Sequence, residues 1–539
     1  MYLTIIDTSG IQEYIFSTNK LKQIVGASHL VNCAQRDWVQ DCLNDLHLKH
    51  NIVDINAHEE DKWLSNARIE DEKIDAELVY SGGGNTLLLF NTKENAILFT
   101  KKLTRRVLED APGLRLVISH YLFDWQVSAL GGEDGILHKA FIELAKRKFL
   151  SLPFSDEPGM GVTVQCSYSD LPAVNEINDI AMSSTITAKV EAEQMGHRRL
   201  QTSLNLGKYS DFPKELDQLG GTQGEKNLLA VVHIDGNAMG DRVSERQKLF
   251  PNAAQNRACL EELRKFSFSI QRAAILALQE TIDFLISKID AESKIAGEIK
   301  ICENKLPFRP IVFGGDDLTF VCDGRIGLSL ASYYLQQAAK KLLTDGRPLY
   351  CRAGVAIVNT HFPFSRAYAL AEELCSSAKD RIREMRSEAK KMEIDDSIVE
   401  TAGMSAIDWH YAVGGFLGNL SDIRSREYLT TIGYLNMRPL LINNPFQSII
   451  GLPSNWRTWD TFLSVANEFK NGTTWVEKHN KVKALRQVLR GSKEEVKEFC
   501  TVYGAELPKI GGEEFDSGWV GNHCVYYDAI EAIDSFIQL

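Results

Sequence analysis

The sequence predicts an α+β fold made of two ferredoxin-like (split βαβ) domains, a connector and a C-terminal helical domain. Three observations carry this reading. A buried strand ending in an acid occurs twice, as "YLTIID" closing on Asp7 and "LLAVVHID" closing on Asp235. Each is followed by helix and then by an apolar hairpin with a glycine turn, "LVYSGGGNTLLLF" and "IVFGGDDLTFVC". The spacing repeats as well, with 75 residues from Asp7 to Gly82 and 79 from Asp235 to Gly314. A period of that length suits a duplicated domain, not a solenoid.

The elements follow in chain order. Residues 1–150 hold the first copy: the strand to Asp7, helix to about Trp38, the hairpin, a helix from about Glu94 to Glu109, and the strand "LRLVISHYLF". Residues 151–225 read as a polar connector, because "SLPFSDEPGMG", "YSDLPAV" and "TQGEKN" are rich in turn formers. Residues 226–420 hold the second copy: strand, the turn "GNAMGDRV", a long helix through "RACLEELRKFSFSIQRAAILALQETIDFLISKI", the hairpin, a helix from about Leu328 to Thr344, and the strand "PLYCRAGVAIV". From 421 to 539, "WDTFLSVANEF", "WVEKHNKVKALRQVLR", "KEEVKEFCTVYG" and "YYDAIEAIDSFIQL" carry helical apolar periodicity.

Bulk properties narrow the function. The chain has 539 residues, 44% of them hydrophobic, which is ample for several packed domains. A formal charge of −12 argues against a free-standing, non-specific nucleic-acid binder. The ten cysteines include no C-x-x-C pair, so they read as buried thiols in a reducing cytoplasm. "MYLTIIDTSGIQ" has no positive region and is not a signal peptide. No apolar run approaches the ~18 residues of a membrane span, so no membrane partner is expected.

Asp316 and Asp317 stand outside any hydrophobic pattern, yet their flanks are too apolar for an outlying edge hairpin. In a split βαβ sheet the first strand and the central hairpin are neighbours, which brings Asp235 beside Asp316 and Asp317. Three acids without their own lysine or arginine repel one another, and divalent cations, Mg²⁺ or Mn²⁺, relieve that. Two such ions suit in-line displacement at phosphorus. Gly314 and Gly315 allow a tight turn and close approach of a ligand. "DGNAMG" leads from strand to helix, so Gly236, Asn237, Met239 and Gly240 are candidates to cradle phosphate. Lys379, on the helix after "RAGVAIV", is a candidate phosphate contact. Asp408 and His410 in "IDWHY" either touch a base or ribose or pack in a strand. No G-x-S-x-G, P-loop or H-E-x-x-H occurs.

Asp235 with Gly236 and "MG", "GGDD" at Gly314 to Asp317, "RAGVAIV", and "AEELCSSAK" ending at Lys379 resemble the catalytic palm of nucleotidyl cyclases and polymerases. The broad kin are diguanylate cyclase domains. The nearer resemblance is to the large palm-containing subunit of type III CRISPR effector complexes, with GGDD, a degenerate first palm and an "SGIQ" opening. That resemblance implies synthesis of cyclic oligoadenylates from ATP, with Asp235, Asp316 and Asp317 as metal-binding catalytic acids. It implies other effector subunits as partners, and guide and target RNA reached through them. The chain starts at the first palm without an HD nuclease domain, so DNA cleavage by that route is not expected. Asn237 stands where members often show a second acid. Cys166 stands where they often carry a zinc-binding set, so no structural zinc is expected. An inactive nucleotide-binding scaffold and a free-standing, oligomeric synthase are the alternatives. In the first palm, Gly84 and Asn85 stand where the second has Asp316 and Asp317, leaving one carboxylate, Asp7. That palm is expected to be chemically silent. Its hairpin glycines, Gly83 and Gly84, either border an acceptor-nucleotide pocket or serve a purely structural role.

Overall fold

The computed structural model describes residues 1–57, 59–150, 160–209, 211–219, 227–301, 303–413, 418–446, 455–510 and 517–539. The first copy runs β1 (Tyr2–Ser9), α1 (Ile11–Phe16), α2 (Leu21–Gln35), α3 (Asp37–Asp45), β2 (Ala76–Gly82), β3 (Asn85–Phe90), α4 (Lys93–Asp110) and β4 (Arg115–Leu122). Its strands form one antiparallel sheet in the order β2-β3-β1-β4, the ferredoxin-like order. Helices α5 (Ile136–Leu150) and α6 (Ser184–Ser203) then lead to the second copy.

That copy runs β5 (Leu228–Gly236), α7 (Met239–Lys248), α8 (Asn256–Ser287), β6 (Phe308–Gly314), β7 (Asp317–Asp323), α9 (Gly327–Ala338), β8 (Cys351–Asn359) and α10 (Phe364–Lys391). Its strands repeat the same order, β6-β7-β5-β8, and the sheet continues into β9 (Ser405–Tyr411) and β10 (Leu440–Asn443). The two copies agree in detail. Gly82 pairs with Asn85 as Gly314 pairs with Asp317, and each outer hairpin strand breaks register at the matching place, Leu78/Tyr80 and Pro310/Val312. Each first helix is entered through a left-handed residue three positions after the acid, Gly10 (φ 68°) and Ala238 (φ 56°). Duplication accounts for such coincidences of register far better than chance.

The connector is more ordered than its composition suggests. Two of its turn-rich stretches, 151–159 and 220–226, lie outside the described residues. Between them α6 is a 20-residue helix packed along α2. The contact is backbone to backbone: a Cβ on Gly26 would lie 1.7 Å from the Lys189 carbonyl oxygen, and one on Gly196 3.0 Å from that of Val25. Lys189 is buried, with Nζ donating to the Tyr14 carbonyl at 2.6 Å and Ser17 Oγ at 3.0 Å.

The C-terminal helices, α12 (Trp459–Asn471), α13 (His479–Val488), α14 (Lys493–Tyr503) and α15 (Tyr527–Ala532), follow α11 (Leu420–Glu427). They share one apolar core with the second sheet through Trp409, Trp459 and Phe462. Arg438, fully buried, ties the two together: Nη1 donates to Asp528 at 2.6 Å and to Glu531 at 2.9 Å. Asp408 accepts from Arg424 Nη2 at 2.6 Å and His410 packs edge-on to Tyr428, so "IDWHY" is a packed central strand. No helix among the described residues is long and apolar enough to cross a membrane.

The two copies grip each other reciprocally. Helix α2 of the first lies on β6 of the second, with Ser28 Oγ donating to the Ile311 carbonyl at 2.6 Å. Helix α8 of the second lies on β2 of the first, where buried Glu77 accepts from Arg257 at 2.6 Å and Arg264 at 2.8 Å. Burial alone would raise the Glu77 pKa; the hydrogen bonds and charges of Arg257, then Arg264, hold it below the ordinary glutamate value. Removing that charge leaves Arg264 with only the Leu78 carbonyl among its described acceptors and leaves Arg257 to Glu70 alone. Glu77→Gln is therefore expected to cost about 3 kcal/mol of stability, measured by urea unfolding. A variant as stable as the wild type would show that this junction does not hold the two copies together.

Candidate active site

Asp235 lies at the end of β5, Asp316 in the two-residue turn between β6 and β7, and Asp317 at the start of β7. Because β5 and β7 are paired, with Ile234 opposite Leu318, Asp235 and Asp317 become neighbours. One oxygen from each of the three carboxylates lies within 4.8 Å of the others, and all three are half-buried. Gly314 (φ 130°) and Gly315 (φ 68°) make the turn possible. Gly236 is required by Asp316: a Cβ there would lie 2.7 Å from Asp316 Cβ.

The charges are unevenly compensated. Burial raises the Asp316 pKa to about 7, with the Asp317 charge adding to it. Burial and the charge of Glu372 raise that of Asp317 to about 6. Asp235 differs. The expectation that the acids have no basic partner of their own is corrected here, because Arg352 on β8, directly opposite Asp235, forms an ion pair with it. Three oxygen donors converging at this distance, two of them carrying charge the protein leaves uncompensated, fit a hard divalent cation such as Mg²⁺ or Mn²⁺.

Three cavities meet at the hairpins. The first, about 750 Å³, lies between α2, α6 and the β6–β7 turn, and includes Asn32, Arg36, Arg199, Gly83, Gly315 and Asp317. The second, about 420 Å³, lies between α7, α8 and the β2–β3 turn, and includes Met239, Gly240, Phe266, Ser267, Gly83 and Asp316. They are counterparts: α2 of the first copy walls one, α7 and α8 of the second copy wall the other, and both hairpin turns border each. A third, about 330 Å³, includes Gly84, His233, Asp317 and Tyr368. In the first cavity Asn32 Oδ1 and Arg36 Nε are buried with no partner among the described residues. The Arg36 side chain donates sideways, from Nη2 to Gln271 at 2.9 Å.

The remaining sequence candidates divide. Met239 and Gly240 line the second cavity at the start of α7. Asn237 is instead a brace: its Nδ2 donates to the Met404 carbonyl at 2.8 Å and its Oδ1 accepts from Arg352 at 3.0 Å. Lys379 is exposed on α10, two turns beyond Glu372 on the same face, and lines none of the three cavities. In the first copy Asp7 accepts from Ser9 Oγ at 2.7 Å and Lys148 Nζ at 2.9 Å, so its single carboxylate is already neutralised. Arg352, Glu372, Asn32 and Arg36 were not anticipated. Arg352 could have been: it is the one charge in an apolar strand that the split βαβ order places beside β5.

Raised folded-state pKa values make the pair a liability in the metal-free protein. Their contribution to stability is fully present below the ordinary carboxylate value and is lost as pH rises through about 6 to 7. Asp316→Asn with Asp317→Asn is therefore expected to raise Tm by several degrees near pH 8 and to leave it unchanged near pH 4. Melting curves at the two pH values measure it; a loss of stability near pH 8 would contradict it.

No protein-family model matches the sequence, and no curated protein matches it. Solved structures do. The crystal structure of the Csm1-Csm4 cassette in complex with one ATP matches with a TM-score of 0.53 and 12% identity, over 99% of this chain and 70% of that one. The cassette in complex with pppApApA matches with a TM-score of 0.52 and 13% identity, over 99% and 69%. Csm1 of T. onnurineus matches with a TM-score of 0.51 and 16% identity, again over 99% and 69%. The chain therefore has the fold of Csm1 through almost its whole length.

Proposed function

We propose that the chain is a divalent-metal-dependent nucleotidyltransferase that joins ATP into cyclic oligoadenylates, as the palm subunit of a type III CRISPR effector. One observation carries this: the three-aspartate cluster stands where two counterpart cavities meet, with one carboxylate, Asp317, on the first and another, Asp316, on the second. Structures of the same fold have been solved with ATP, AMPPNP and pppApApA, and in a cassette with Csm4. By that likeness the chain works beside other effector subunits, and an acidic chain reaches guide and target RNA mainly through them. A cytoplasmic setting follows from the same reading.

The geometry divides the work. Asp235, Asp316 and Asp317 would hold Mg²⁺ or Mn²⁺, which lowers the pKa of an attacking hydroxyl and neutralises charge on the leaving oxygens. The second cavity takes the donor nucleotide, its base between α7 and α8. The N–H groups at the start of α7 face its phosphates. The first cavity takes the acceptor, where Asn32 Oδ1 and Arg36 Nε offer an unused acceptor and donor. The acceptor's ribose hydroxyl oxygen bonds to the donor's α-phosphorus, the bond from that phosphorus to the β-phosphate bridging oxygen breaks, and pyrophosphate leaves. The hydroxyl proton passes to water. Repetition lengthens the chain, and attack of the terminal hydroxyl on the 5′ α-phosphorus closes the ring. The first palm contributes a pocket and no chemistry, since Lys148 holds its one acid.

The test is to incubate purified protein with each NTP and Mg²⁺ or Mn²⁺, with and without RNA, and to identify products by mass. ATP is expected to give pyrophosphate and cyclic oligoadenylate. Asp316→Ala with Asp317→Ala is expected to lower the rate at least about a hundredfold without unfolding the protein. Product formation at the wild-type rate by that double variant would overturn the assignment.

A further inference from the structure

Arg352 is the only charged residue of β8, a strand otherwise almost wholly buried and apolar. It stands in register with Asp235. Its guanidinium pairs with the Asp235 carboxylate, and its Nη1 donates to the Gly236 carbonyl oxygen and to Asn237 Oδ1, each at 3.0 Å. All three acceptors are hard oxygens on one strand-to-turn segment. A carboxylate oxygen and an adjacent backbone carbonyl are also the donors that Mg²⁺ and Mn²⁺ prefer. The first copy is built differently: Val117 stands opposite Asp7, and the cation on that acid, Lys148, comes from α5.

We infer that Arg352 is a tethered competitor for the cation position at Asp235, displaced when metal and nucleotide arrive together and then free to pair with the nucleotide's phosphates. This rests on the reading of the aspartates as a metal centre. The argument is one of charge and burial. A guanidinium on Asp235 must give up that carboxylate before a divalent ion can use it fully. Arg352 is only 9% exposed, so a released guanidinium has no easy route to water. Leaving such a charge unpaired is costly, and a polyphosphate entering with the ion supplies the replacement anion. Metal alone then binds weakly, metal and triphosphate bind cooperatively, and Arg352 is the coupling residue.

The test is a Mn²⁺ titration of the full chain followed by electron paramagnetic resonance of the free ion, with and without AMPPNP. Arg352→Gln is expected to bind Mn²⁺ about fivefold more tightly than wild type without nucleotide, and to lose most of the tightening that AMPPNP confers. Arg352→Lys keeps the charge but loses the planar two-nitrogen fork that spans the three oxygens, so it should fall between the two; it also serves if the glutamine variant proves unstable. Asp235→Asn separates the two claims. If Asp235→Asn weakens Mn²⁺ binding but neither Arg352 variant tightens it, the metal centre stands and the competitor role is overturned. If Mn²⁺ binds neither the wild type nor any Arg352 variant, both readings fail.

Discussion

Where the two copies meet, two glycine turns touch. A Cβ built on Gly315 would lie 3.2 Å from the backbone nitrogen of Gly83, and one on Gly83 would lie 3.9 Å from Asp316 Oδ1. Both residues adopt positive φ. A side chain at Gly315 would press on the Gly83 backbone, and at either position it would strain the left-handed backbone of its turn. Much else serves this apposition. The α8–β2 ion network and the α2–β6 contact hold the two copies in reciprocal register, and α6 packs along α2. The cavities are therefore a property of the pair of domains, whereas the three aspartates all belong to the second copy.

Duplication followed by divergence of charge accounts for the difference between the halves. Both keep an acid at the end of strand one. In the first copy Asp7 is closed off by Lys148 and Ser9, and the hairpin offers Gly84 and Asn85. In the second, Asp316 and Asp317 crowd against each other and against Glu372, and burial raises their pKa values. An electrostatic arrangement that is unfavourable by itself is what a cation site requires.

What the sequence made legible follows from where the information sits. The strands, hairpins and Asp235–Asp316–Asp317 convergence were readable because strand periodicity and sheet order depend on local pattern and a few topological rules. Helix α6 was not. Its contact with α2 runs through Gly26, Gly196 and the buried Lys189, none of which produces an apolar stripe, and its flanks are rich in turn formers. The cavities were invisible for another reason: Asn32 and Ser267 are some 235 positions apart and become opposite walls only when the two copies dock. Asn237 looked like a phosphate contact in its motif, but its amide is used to brace Met404 and Arg352.

The central claim is one chemical centre served by two nucleotide pockets. Gly83 borders both pockets, so bulk there cannot separate them. Asn32 lines only the first and Ser267 only the second among the three cavities at the hairpins. Calorimetric titration of the whole protein with AMPPNP and Mg²⁺ is the direct measurement. Two sites per chain are expected, with Asn32→Trp removing one and Ser267→Trp removing the other in folded protein. A single site, or two sites that neither substitution changes, would contradict the account.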